Sequence, residues 1–178
     1  MARKRILNVG CGNSSYGTDR IDMYPTATTT KIVNVDKEGL PYKSNTFDEV
    51  YARNLLEHLR NTGFFVDECF RVLKKGGKIY IRTDHAGYIL NYLLKRNEHN
   101  QGLAVQYKKG GSFGHGQEED WHYYLFVESH LRGLFKNFQQ VEVKHVVGSL
   151  NPIKKVILSL LPKHIGACHI DLTARKLR

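Results

Sequence analysis

The sequence predicts an α/β fold: a three-layer, doubly wound and mostly parallel sheet closed by an antiparallel edge strand. Three observations carry this. Short β-branched runs alternate with amphipathic, helix-spaced stretches, as in successive β-α-β units. The first run, RILNV, is apolar and ends at a glycine, which suits a strand buried on both faces of a parallel sheet. The last two runs, QQVEVKHVVG and HIDLTARK, suit an antiparallel pair at one edge.

Each element has its own signal. DRIDM and KIVNV are short and β-branched, and Pro25 with Thr28, Thr29 and Thr30 separates them into two strands joined by a loop. FDEVYA is the next strand, and a helix begins over residues 54–60. In GFFVDECFRVLKKGG, Phe65, Cys69, Val72 and Leu73 recur at helical spacing until Gly76 and Gly77 stop the helix. KIYIRT is a strand, AGYILNYLLKR a helix and LFVESHLRGLFKNF an amphipathic helix. Between them the pattern lapses into glycine and charge, so residues 97–124 form a substrate loop or lid.

The chain has 178 residues, 41% hydrophobic and 25% charged, which fits one globular domain over residues 1–178. No stretch approaches the roughly 20 apolar residues of a membrane span, and MARKRILNVG carries no signal-peptide cleavage pattern. Cys11, Cys69 and Cys168 are scattered and lack CxxC spacing, so the expected compartment is the reducing cytoplasm. The net charge of +10 attracts nucleic acid, an anionic membrane surface or acidic substrates, or else solvates the surface.

The first strand runs into Gly10–Cys11–Gly12, where the backbone can turn sharply and approach a ligand. A dinucleotide fingerprint needs a third glycine, and Ser15 stands there. No carboxylate lies about 20 residues on, which disfavours NAD. Aspartates at the ends of consecutive strands suit a ligand with one ribose and one adenine. Asp22 accepts from the ribose hydroxyls and Asp36 from the adenine amine, while Asp19 is a turn residue.

ILNVGCG, RIDMYP, VNVDKEGLPYKSNTFDEVYARNLLEHL and ECFRVLKKGGKIYIRT, in this order, resemble class I S-adenosylmethionine-dependent methyltransferases, most closely the small type 11 group. The resemblance covers residues 5–83 and continues loosely through SHLRGLFKNFQQVEV. It implies a Rossmann-like methyltransferase domain with S-adenosyl-L-methionine as cofactor. It also implies Gly10, Cys11 and Gly12 against the methionine portion, ribose on Asp22 beside Met23, and adenine beside Asp36 and Lys37. Backbone near Arg53 and Asn54 then meets the methionine end. One departure is that NSSYGTD leaves little room for the usual crossover helix, so a shortened first helix is expected.

Methyl transfer is an in-line attack that needs a base only when the attacking atom carries a proton. Asp84 and His85 follow strand KIYIRT, where an acceptor would lie, and read either as catalytic groups or as a cap and a solvent histidine. GHGQEEDWHYY gathers His115, Glu118, Glu119, Asp120 and His122 in a spacing that matches no established metal site, so no metal is assigned. His122 or Tyr123 faces the acceptor, with His122 the catalytic candidate, and Trp121 faces it or anchors the loop. Glu57 and His58 read as packed helix residues.

In residues 150–166, Ile153, Val156, Ile157, Leu160 and Leu161 share one helical face flanked by lysines. This is a helix packed on the sheet, a peripheral membrane helix or a homodimer face. The expected function is methyl transfer to an oxygen or nitrogen of a small-molecule or glycan-like acceptor. The alternatives are an RNA-directed methyltransferase, which the charge favours and the absence of an NPPY-type tetrapeptide disfavours, and a non-catalytic module of the same fold.

Overall fold

Side-chain alternation along the strands decides how this sheet packs, and it does so over the described residues 4–88, 104–108, 121–148 and 152–177 of the computed structural model. In chain order the elements are β1 (Ile6–Val9), β2 (Asp19–Asp22), β3 (Lys31–Ile32), α1 (Val35–Glu38), β4 (Phe47–Arg53), a 3-10 turn (Leu56–His58), α2 (Thr62–Val72) and β5 (Leu73–Asp84). Then come β6 (Ala104–Lys108), β7 (Trp121–Tyr124), α3 (Glu128–Leu134), β8 (Gln139–Val146), α4 (Pro152–Ser159), α5 (Lys163–Gly166) and β9 (His169–Arg175).

Seven strands form one sheet in the order β3-β2-β1-β4-β5-β9-β8. β1 to β5 run parallel, and β9 is antiparallel to both β5 and β8. The expected mostly parallel sheet with its antiparallel edge pair is therefore what forms. The chain begins mid-sheet, winds out to β3 and returns to β4, so the topological switch lies between β1 and β4. Ligands of open α/β sheets bind at such a point, beyond the carboxyl ends of the strands.

The two faces of the sheet differ. Leu7, Val9, Val50, Ile79, Ile81, Ile170 and Leu172 are all 0% exposed. They share one core with Phe65, Val66, Cys69 and Val72 of α2 and with Leu131 of α3. Each such side chain contributes about 1.5–3 kcal/mol on burial. The opposite face presents the row Arg20–Asn8–Tyr51–Tyr80–Thr173–Glu142, each residue in register with the next. Tyr51 and Tyr80 stack at 4.9 Å, and Tyr16 leans on Tyr51 at 4.7 Å. On β1 this face is mixed: Ile6 shares it with Asn8, which donates to the Tyr16 carbonyl.

Several elements differ from expectation. The shortened helix between β1 and β2 does not form: residues 10–18 run as turns and bends. Left-handed glycines at both ends of this loop (φ 65° at Gly10, 51° at Gly12 and 95° at Gly17) are incompatible with a helix. KIVNV keeps only two strand residues, because the Asn34 side chain accepts from the Asp36 amide and caps α1. Residues 54–60 form only the 3-10 turn, since Asn54 adopts a left-handed φ of 52°.

The helix expected to reach Gly76 stops at Val72, and Leu73 already pairs with Phe47. The one expected over residues 125–138 is confined to α3. Of residues 97–124, β6 and β7 pair antiparallel, while His115, Glu118, Glu119 and Asp120 lie outside the described residues. So do residues 89–96 of the expected helix after β5.

Candidate active site

The glycine turn at the end of β1 is held from two sides. The Gly12 amide donates to Asp22 Oδ2 at 2.8 Å, and the Tyr24 amide donates to Asp22 Oδ1 at 3.1 Å. The Gly12 carbonyl accepts from the hydroxyls of Thr26 at 2.6 Å and Thr28 at 2.7 Å. Thr29 joins Thr26 at 2.8 Å, and the buried Cys11 thiol packs on Thr29. The threonine run therefore braces the loop where a crossover helix is missing. Its visible signal was TATTT, read from sequence only as a separator.

A side chain at Gly10 would need a left-handed backbone and would meet Leu55 Cδ1 at 3.0 Å. The bare backbone there leaves a cradle between the β1 and β4 loops. Each Asp22 oxygen accepts one amide and keeps a lone pair for a ribose hydroxyl. Met23 is half-buried beside it. These residues fit an adenosyl ligand that carries no pyrophosphate.

Asp36 does more than the sequence suggested. Its Oδ1 accepts from the Asn61 amide at 2.8 Å and its Oδ2 from the Arg60 amide at 3.1 Å. It thereby ties α1 to the start of α2, with one lone pair per oxygen left for an adenine amine. Lys37, Arg53 and Asn54 are exposed, and the Asn54 amide donates to the Arg82 carbonyl at the ends of β4 and β5.

The second cluster lies beyond β4 and β5. The Phe126 amide donates to the Asp84 carbonyl and the Ala86 amide to the Phe126 carbonyl, so the segment after β7 extends the end of β5. This brings His122 to Asp84, with Nδ1 3.1 Å from Oδ2. His122 is 1% exposed, and its ring meets that of His58 edge-on at 4.4 Å. Fully buried Glu57 accepts from the Thr83 hydroxyl at 2.8 Å. Glu57, His58 and His122 each place a donor atom within 4.8 Å of the others, a set that could hold a divalent ion. Leu55, two and three residues before Glu57 and His58, closes on Gly10 and links this cluster to the glycine loop.

Two of the three catalytic candidates, Asp84 and His122, are therefore neighbours, and His85 is not with them. His85 is 2% exposed, and its Nδ1 lies 2.9 Å from the Ala167 carbonyl on the side of α5. Burial pushes its pKa down, with His145 and His164 adding like-charge repulsion. Tyr123 is turned to Arg60, whose guanidinium donates to the Tyr123 hydroxyl at 2.9 Å. Glu57 and His58, read as packed helix residues, instead join the polar cluster. Their signal was LLEHL directly after a strand end.

A family model described as a methyltransferase domain matches residues 19–81, which hold Asp22, Asp36 and Glu57–His58. Over that segment, 63 of the 178 residues, the chain resembles a methyltransferase domain. Its fold superimposes on that of a SAM-dependent methyltransferase from Thermotoga maritima with a TM-score of 0.66 at 13% identity, covering 99% of this chain and 84% of that one. A second, from Methanosarcina mazei, gives 0.65 at 17% identity over 99% and 94%. Among curated relatives, a rat mitochondrial ubiquinone biosynthesis O-methyltransferase is 30% identical over an alignment of 104 positions that covers 44% of this chain and 30% of that protein. A sterol 4-C-methyltransferase of Caenorhabditis elegans is 26% identical over 102 residues, 57% of this chain and 28% of that protein. The chain thus spans less than a third of either curated relative's length.

Proposed function

We propose that the protein transfers a methyl group from S-adenosyl-L-methionine to an oxygen or nitrogen of a small-molecule or glycan-like acceptor, with His122 as general base. The observation that supports this is the Asp84–His122 pair at the carboxyl ends of β4 and β5, linked through Leu55 to the glycine loop. S-adenosylmethionine, when bound, supplies an electron-poor sulfonium methyl. Gly10, Cys11 and Gly12 give it close backbone approach, Asp22 takes the ribose hydroxyls, and Asp36 with Lys37 borders the adenine. The backbone of Arg53 and Asn54 faces the methionine end.

Asp84 accepts at Nδ1 of His122 and fixes the ring so that Nε2 can take the acceptor's proton. The ring is 1% exposed, so little water reaches it. A hydroxyl acceptor needs such a base, which agrees with the rat relative being named an O-methyltransferase. The thiols of Cys11, Cys69 and Cys168 are all free, in keeping with the cytoplasm.

The test is transfer of radiolabelled methyl to a panel of phenolic, amino and saccharide acceptors. His122→Ala is expected to lower turnover about 10²–10⁴-fold with cofactor affinity unchanged. Wild-type turnover in that variant would remove His122 from the chemistry. The donor set of Glu57, His58 and His122 favours a second reading, in which a divalent ion there orients the acceptor oxygen. Chelation separates the two: turnover that survives EDTA supports the base, and turnover restored only by metal supports the ion.

A further inference from the structure

We propose that α4 docks the protein on the surface of an anionic lipid bilayer. Ile153, Val156, Ile157 and Leu160 follow one another at helical spacing and form a single outward stripe. They are 69%, 60%, 57% and 81% exposed. Among the described residues seven large hydrophobics are exposed; these four lie together along α4 and the residue after it, while Tyr16, Ile32 and Phe64 stand elsewhere. Scattered apolar residues are ordinary on a protein surface, but a contiguous helical stripe marks an interaction site.

The helix is fixed with this stripe outward. Leu158, on the opposite face, is 5% exposed, and its carbonyl packs so closely on Gly166 of α5 that a side chain there has no room. α5 in turn rests on Gly87 through the His164 carbonyl. The Ala167 and Cys168 carbonyls that follow take the ring and the amide of His85. Turning the stripe inward would break this anchorage.

The surrounding charge selects the occupant. From Gly148 to His169 the chain has no acidic residue and carries Lys154, Lys155, Lys163 and His164. Lys155, Lys163 and His164 are exposed beside the stripe, on a protein of net charge +10. An apolar face rimmed by cations matches the boundary between acyl chains and anionic headgroups. A second copy of this chain would bring the same lysines and the same net charge against each other. A polyanion such as RNA would leave the four apolar side chains in water. No described helix is long and apolar enough to cross a membrane, so the contact is one of lying on the surface.

The anchorage also sets the position of the stripe. α5 and the following turn contact His85 and Gly87, next to Asp84, and His169 Nε2 lies 3.5 Å from Asp84 Oδ1. The docking face and the Asp84–His122 pair therefore share one edge of the sheet.

Flotation with vesicles tests the idea without reference to catalysis. Vesicles of phosphatidylcholine alone are compared with vesicles that also contain phosphatidylserine, at low and high salt. The protein is expected to float with the mixed vesicles and much less with the neutral ones. Lys155→Gln should weaken binding about fivefold, and Leu160→Ser about tenfold or more. Ile32→Ser, which removes an exposed apolar residue elsewhere, should change nothing. All three sites are exposed, and a thermal melt confirms that the variants fold. Absence of flotation overturns the proposal, as does equal flotation of wild type and Leu160→Ser. A dimer in solution that Leu160→Ser dissociates would assign the face to a second copy. Retention on tRNA in place of vesicles would assign it to nucleic acid.

Discussion

Replacing Asp22 with alanine separates two roles that the structure gives one carboxylate. The side chain accepts the Gly12 amide at 2.8 Å and the Tyr24 amide at 3.1 Å, both charge-assisted bonds. Asp22 is only half-buried, so water replaces part of what is lost. A net destabilisation of about 1–2 kcal/mol follows for the pair, below the ~1.5–3 kcal/mol that one fully buried bond to a charge can contribute. For a chain of this length that lowers the melting temperature by about 2–8 °C. The lost ribose acceptor is a separate matter: about 2 kcal/mol of binding, or roughly a 30-fold weaker affinity. Calorimetric titration of S-adenosylmethionine into wild type and Asp22→Ala, with thermal melts alongside, measures both. NAD, titrated separately, is expected not to bind. A variant that melts lower yet binds S-adenosylmethionine like wild type would make Asp22 a brace for the loop and nothing more. The ribose would then have to be sought at Asp36.

Two further outcomes follow from the same geometry. Gly10→Ala forces a left-handed alanine, at about 1–2 kcal/mol, and pushes Leu55 aside by a few tenths of an ångström. Both the melting temperature and the cofactor affinity should fall, and unchanged values in calorimetry would show that the cradle tolerates a methyl group. His85 makes stability depend on pH. Its folded pKa lies below the unfolded value of about 6.5, so the unfolded chain binds the extra proton first. Its contribution is complete above that value and is lost as the pH falls below it towards the folded pKa. His85→Gln should flatten this part of the melting-temperature profile, and a profile of unchanged slope would refute the assignment.

What could be read from the sequence was mostly local. Gly10, Gly12 and Asp22 lie within a dozen residues of one another, so their approach needs only a loop and a short strand. Asp84 and His122 were each visible as candidates, but not as a pair. Their meeting depends on the segment after β7 running beside the end of β5, a non-local pairing that no periodicity announces. Glu57 and His58 were misjudged for a related reason. A helix would have spread them over its faces, whereas the left-handed Asn54 leaves only a 3-10 turn that holds both near His122. The unequal faces of the sheet were partly legible, since FDEVYAR and KIYIRTD alternate as half-covered strands do.

The place of β9 has a consequence for how the chain is made. It pairs with β5 along seven residues from Lys78 to Asp84, and its Asp171 grips Arg82 across 89 residues of sequence. During synthesis β5 leaves the ribosome long before its partner exists. At about 5–20 residues per second the delay is roughly 4–18 s. Through that interval the nascent chain carries a bare strand edge in the middle of its future sheet, open to any other extended segment. Lys78 and Arg82, on the polar side of that strand, place positive charge along the unpaired edge. Their service to the protein would then begin before the fold is complete, as gatekeepers against aggregation while β9 is still being translated.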